Sequence, residues 1–145
     1  MTPMKNHYIL FTDGGARGNP GPAGAGAVLF DDTGVTIAES HEYLGEQTNN
    51  FAEYAAVVLG LEMIEKHFGK EVCKNISLTA KMDSELVCKQ LKGEYRVKNK
   101  TLYGEYMKVR TLLDTTFPDV TFEHVPRAEN KRADALANEA MDSVM

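Results

Sequence analysis

A change of hydrophobic period at Thr48-Asn49-Asn50 divides the 145-residue chain into two kinds of structure. Beyond it, Ala52, Ala55, Ala56, Leu59 and Met63 recur at steps of three and four up to Gly69, which predicts one long amphipathic helix. Before it, His7 to Thr12, Gly24 to Phe30 and Val35 to Leu44 have strand character, with Asp31-Asp32-Thr33-Gly34 as a turn between the last two. These three consecutive strands are expected to be antiparallel. Asp13 ends the first, and Gly14, Gly15, Gly18, Pro20, Gly21 and Pro22 are expected to form an irregular loop.

The alternation returns in Ile76 to Met82, a fourth strand ending at Asp83, and Ser84 can cap a short helix after it. Leu102, Met107, Val109, Leu112 and Leu113 fit a further helix, Val120 to Val125 a fifth strand, and Ala133, Leu136, Ala137 and Ala140 a last helix. The order β-β-β-α-β-α-α-β-α predicts an α/β fold built on one mixed sheet with helices on its faces. With 43% hydrophobic residues over 145 positions, a single domain, 1–145, is expected. No apolar run approaches a bilayer span, and Met1 to Lys5 lack a secretory leader's apolar stretch, so a cytoplasmic protein without a membrane role is expected.

The net charge of −5 conceals an asymmetry. Lys89 to Arg110 holds seven basic residues (Lys89, Lys92, Arg96, Lys98, Lys100, Lys108, Arg110) against Glu94 and Glu105, leaving this segment at +5 and the remainder at −10. Tyr95, Tyr103 and Tyr106 interleave with these charges. The pattern suits a docking polyanion, and equally a solvated helix face beside core tyrosines. Cys73 and Cys88 lack metal or redox spacing and are read as idle thiols. The run Gly14 to Gly21 lacks the Walker spacing and is followed by a strand, which excludes a P-loop. Its glycines suit close approach of a nucleic-acid backbone.

If the first and fourth strands are parallel neighbours, Asp13 and Asp83 emerge side by side at one sheet edge, and Glu53 and Asp134 fall in first helical turns able to face the same spot. Four converging carboxylates repel one another unless cations neutralise them. Hard divalent ions suit such oxygen ligands, and Mg²⁺ or Mn²⁺ in a pair can stabilise attacking water and departing oxygen in phosphodiester hydrolysis. Each acid alone also has an ordinary reading: Glu53 in a capping box with Asn50, Asp134 on a helix dipole, Asp83 as a helix start, Asp13 as a turn residue.

From Tyr8 to Ala140 the chain resembles the type 1 ribonuclease H family, through Thr12-Asp13-Gly14-Gly15 with Gly18-Asn19-Pro20-Gly21, Thr48-Asn49-Asn50 leading to Glu53, Met82-Asp83-Ser84, and Glu129-Asn130-Lys131-Arg132-Ala133-Asp134. The resemblance implies a ribonuclease H-like fold: a five-stranded mixed sheet in the order 3-2-1-4-5, strands 1–3 antiparallel, flanked by helices. It implies an endonuclease that cuts the RNA of RNA/DNA hybrids, leaving 5′-phosphate and 3′-hydroxyl ends, with Asp13, Glu53, Asp83 and Asp134 holding two metal ions. It places Gly14, Asn19, Asn49 and Asn50 against the RNA strand near its 2′-hydroxyls, and Thr48 and Asn99 on a phosphate of the DNA strand.

Two departures stand out. Val125 to Asn130 is short and lacks the histidine that many members carry there; His124 is assigned to the strand, and Arg127 is the candidate to steer phosphate in its place. The chain also has no Trp and passes directly from Leu91 to Asn99, without the basic extra helix that grips the hybrid in some members. Weaker, more salt-sensitive binding is expected, with the +5 segment partly replacing that helix. A monomer is expected. Rival readings are a junction resolvase or structured-RNA nuclease of the same fold, and a nucleic-acid-binding module without catalysis.

Overall fold

A computed structural model describes residues 5–144. The elements run β1 (His7–Ala16), β2 (Gly21–Asp31), β3 (Thr36–Gln47), α1 (Asn49–Phe68), a single turn α2 (Lys70–Cys73), β4 (Ser77–Met82), α3 (Glu85–Leu91), α4 (Lys100–Thr115), β5 (Val120–His124) and α5 (Lys131–Asp142). A 3₁₀ turn, Arg127–Glu129, precedes α5. The sheet has the order β3-β2-β1-β4-β5. β1, β2 and β3 pair antiparallel, as expected of three consecutive strands, and β1 with β4 and β4 with β5 pair parallel, in the strand order that the family resemblance implies. Thr12 lies opposite Met82, so Asp13, which sits within β1 and does not end it, and Asp83, just past β4, lie side by side where the β1–β4 pairing stops.

The glycines expected to form a loop after Asp13 instead continue β1 to Ala16, and β2 starts at Gly21. Asp13 pairs with Gly26, Gly14 with Ala25, Gly15 with Gly24 and Ala16 with Ala23. Glycine belongs in this ladder because helix backbone presses on it from both sides. A Cβ on Gly14 would lie 2.0 Å from the Ala52 carbonyl oxygen of α1, and Cβ atoms on Gly24 and Gly26 would lie 2.5 and 2.4 Å from the Ala137 and Ala133 carbonyls of α5. Because strand side chains alternate and Gly14 pairs with Ala25, these contacts put α1 and α5 on opposite faces of the sheet. The irregular turn is confined to the residues around Gly18, whose φ of 100° is one that glycine tolerates.

The main core lies between the sheet and α1, α3 and α4, around Leu10, Leu29, Tyr54, Leu61, Leu78 and Val109. A smaller one, with Val28, Ala133 and Leu136, lies under α5. Cys73 and Cys88 are both buried and unpaired, consistent with idle thiols. No helix among the described residues is long and apolar enough to cross a membrane.

Candidate active site

Local structure brings the acids together in different ways. The parallel register of β1 and β4 supplies Asp13 and Asp83. α1 supplies Glu53, seated by the contact of its Ala52–Glu53 backbone with Gly14. The helix starts earlier than a capping box would require: Thr48 is the N-cap, its hydroxyl accepting from Phe51 N–H at 3.2 Å. Asn50 is therefore a helical residue, and Glu53 lies one turn into the helix instead of in its first turn, which removes capping as the reason for its presence. Asp134 does lie in the first turn of α5.

Asp13, Glu53 and Asp83 each offer an oxygen within a set whose members all lie within 4.8 Å of one another. Asp134 is outside that trio but lines the same cleft, of about 640 Å³, near enough to Asp13 to raise its pKa. Asp13 is 5% exposed and Glu53 9%. Burial, then the charge of Asp83 and the contact with Asp134, push the Asp13 carboxyl up from its usual 3.8 to about 8, against the pull of Arg127. Glu53 is likewise held well above the ordinary carboxylate range, first by burial and then by Asp13 and Asp83, against a smaller pull from the Gly14 backbone. Glu53 Oε2 is buried without a hydrogen-bond partner among the described residues. A buried cluster of this kind is costly until positive charge reaches it.

Asn130 carried no expected role, yet it is 1% exposed and ties the site together. Its amide nitrogen donates to the Thr12 carbonyl at 2.9 Å and reaches Asp83 Oδ2 at 3.4 Å. It thereby links the start of α5 to both strand ends. Only its place in the Glu129-to-Asp134 motif hinted at this. Arg17 also lines the cleft, in an ion pair of 2.7 Å with Asp142.

The polar residues named from the sequence fall beside the acids. Asn50, Arg127 and Gly14 line the acidic cleft, and Asn19, Thr48 and Asn99 line a neighbouring one that shares Asn49 and Asn50 with it. Asn19 Oδ1 accepts from Asn49 N–H at 3.0 Å, and Asn49 Oδ1 accepts from Ala16 N–H at 2.8 Å. Asn99 caps α4, its Oδ1 accepting from Thr101 and Leu102 N–H. His124 ends β5, as the sequence indicated.

A mixed sheet in the order 3-2-1-4-5, with carboxylates gathered where the parallel pairing of β1 and β4 ends, defines a ribonuclease H-like protein. Residues 11–140 match the family described as Reverse transcriptase-like. The chain is 44% identical over 132 residues to ribonuclease HI of Halobacterium salinarum, covering 91% of this chain and 63% of that one. It is 31% identical over 153 residues to ribonuclease H of Polynucleobacter asymbioticus, covering 96% and 92%. Among solved structures, LC11-RNase H1 in complex with an RNA/DNA hybrid superimposes with a TM-score of 0.91 at 44% identity, covering 94% of this chain and 98% of that one. The chain belongs to the type 1 ribonuclease H family. It spans 35% of a bifunctional protein of Mycobacterium tuberculosis with which it shares 41% identity over 136 residues.

Proposed function

We propose that this single domain hydrolyses the RNA strand of RNA/DNA hybrids, with Asp13, Glu53, Asp83 and Asp134 binding two Mg²⁺ or Mn²⁺ ions. The observation that carries the reading is the oxygen cluster of buried Asp13 and Glu53 with half-buried Asp83, in which Glu53 Oε2 has no hydrogen-bond partner among the described residues. An all-oxygen, highly anionic donor set fits hard divalent cations. When bound, such ions supply Lewis acidity that makes water nucleophilic and stabilises the departing 3′-oxygen. The products are then a 5′-phosphate and a 3′-hydroxyl.

The chain's own residues supply binding and orientation. Asn130 fixes the Asp83 carboxylate against β1. Arg127 offers a guanidinium to the scissile phosphate while opposing the rise of the Asp13 pKa. Thr48 and Asn99 spend their acceptor oxygens on helix N–H groups, which leaves the hydroxyl proton and the amide N–H donors for a phosphate of the DNA strand. Asn19 and Asn49 also use their carbonyls internally, and their amide nitrogens, with Asn50 and the Gly14 backbone, meet the RNA 2′-hydroxyls.

The test is cleavage of an end-labelled RNA/DNA hybrid beside matching duplex RNA and duplex DNA, with Mg²⁺, Mn²⁺ or chelator. Cutting confined to the hybrid's RNA, dependent on metal and lost in Asp13→Asn, is expected. Folded, metal-supplied protein that cuts no hybrid would overturn the reading.

A further inference from the structure

The segment 92–99, between α3 and α4, takes the place where a grip helix would have been inserted. Lys92, Arg96, Lys98 and Lys100 make no ion pair among the described residues, whereas Lys89 pairs with Glu85 and Lys108 with Glu105. This short basic ribbon is not left loose. Gln90, 5% exposed, donates from Nε2 to the Arg96 carbonyl at 3.1 Å, and its Oε1 accepts from the Tyr54 hydroxyl at 2.6 Å. Tyr54 is fully buried and directly follows Glu53. Arg110 of α4 closes the ring, donating to the Leu91 carbonyl and to the hydroxyl of Tyr106, which in turn meets Tyr54 edge-on.

We infer that Gln90 is a positioning residue for nucleic-acid binding: through Tyr54 it ties the Lys92–Lys100 ribbon to the helix that carries Glu53. The inference rests on the hybrid as substrate. Filling this space needs no amide, since an apolar side chain of the same size would pack and avoid burying polar atoms. What the amide adds is direction. Its carbonyl and its nitrogen each face one partner, which fixes the ribbon's main chain at Arg96, three residues before Asn99. The ribbon's charges and the Asn99 amide are thereby held in one arrangement relative to the acidic cleft, so binding does not have to order a mobile segment.

The experiment measures equilibrium binding of a fluorescent RNA/DNA hybrid by anisotropy against salt, in the non-cleaving Asp13→Asn background, alongside hybrid-cleavage kinetics in the native background. Gln90→Met is expected to raise Kd and KM about 3- to 10-fold, with kcat unchanged and the salt slope reduced by about 1, the signature of a lost phosphate contact. Adding Tyr54→Phe removes the orphaned hydroxyl, so the double variant regains thermal stability but not affinity. Ile64→Val, a core change on α1 ten residues beyond Tyr54 that touches neither hydrogen bond of Gln90, lowers stability and leaves Kd unmoved. A Gln90→Met protein that binds as its background does, or whose affinity returns with its stability in the double variant, overturns the inference while leaving the nuclease reading intact. Hybrid binding that depends on Gln90 in a protein that never cuts would do the reverse. Absence of hybrid binding by the parent overturns both.

Discussion

Replacing Asp13 with Asn should stabilise the metal-free protein while abolishing cleavage. The carboxyl titrates near 3.8 in an unfolded chain and near 8 in the folded one, so the fold favours its protonated form. That contribution is complete below pH 3.8 and disappears as the pH rises through about 8. Integrating the linkage up to pH 7 gives a ceiling of about 4 kcal/mol against the native residue. Asn is neutral at every pH and its amide can donate toward the orphaned Glu53 Oε2, so it escapes this penalty. Some of the repulsion persists between Glu53 and Asp83, and Asn packs less ideally against Asp134, which leaves an expected gain of about 1–3 kcal/mol at pH 7.

Urea unfolding in chelator at several values between pH 4.5 and 8 measures this difference, provided the two proteins share one m-value. The gap should widen with pH and close when Mg²⁺ is added, because the ion stabilises the native protein and not the variant. An Asn variant no more stable than the native protein at pH 7, or a gap flat across the range, would refute the reasoning.

Gly14→Ala should cost more than about 3 kcal/mol, since its Cβ would meet the Ala52 carbonyl at 2.0 Å, whereas Gly15→Ala, with nothing within 4 Å, should stay within about 1 kcal/mol; thermal unfolding compares the two. Asn130→Ala should lose about 1–3 kcal/mol and lower kcat, through the lost donation to Thr12 and the released Asp83 carboxylate; steady-state cleavage and denaturation read both effects. Arg127→Ala should reduce kcat/KM about 10-fold or more with Arg127→Lys intermediate, and equal rates for all three proteins would remove Arg127 from the phosphate site.

The fold was legible wherever periodicity carried it. The break at Thr48 to Asn50 marked the start of α1, and the alternation in Ile76 to Met82 placed β4 within one residue of its observed start at Ser77. Glycine misled at Gly14, because turn chemistry and close helix–strand packing call for the same residue. What separates them is a neighbour about forty residues away, Ala52 against Gly14, which no local pattern reports. The same limit set the depth of Glu53: Asn50 and Thr48 are both capable caps, and the contact with Gly14 accompanies the earlier start.

The site divides along the same line. Acids at strand ends follow from register, so Asp13 and Asp83 could be placed once their strands were parallel neighbours. Residues that organise the site by hydrogen bonds across the fold could not. Asn130 bonds to Thr12 from 118 positions away, and Tyr54 to Gln90 from 36, and in each case the residue is unremarkable within its own element. Both use a buried amide to fix direction at a point where an apolar residue would have packed as well. That choice makes physical sense only if the geometry of what it holds, the carboxylate edge in one case and the basic ribbon in the other, matters more than the stability given up to hold it.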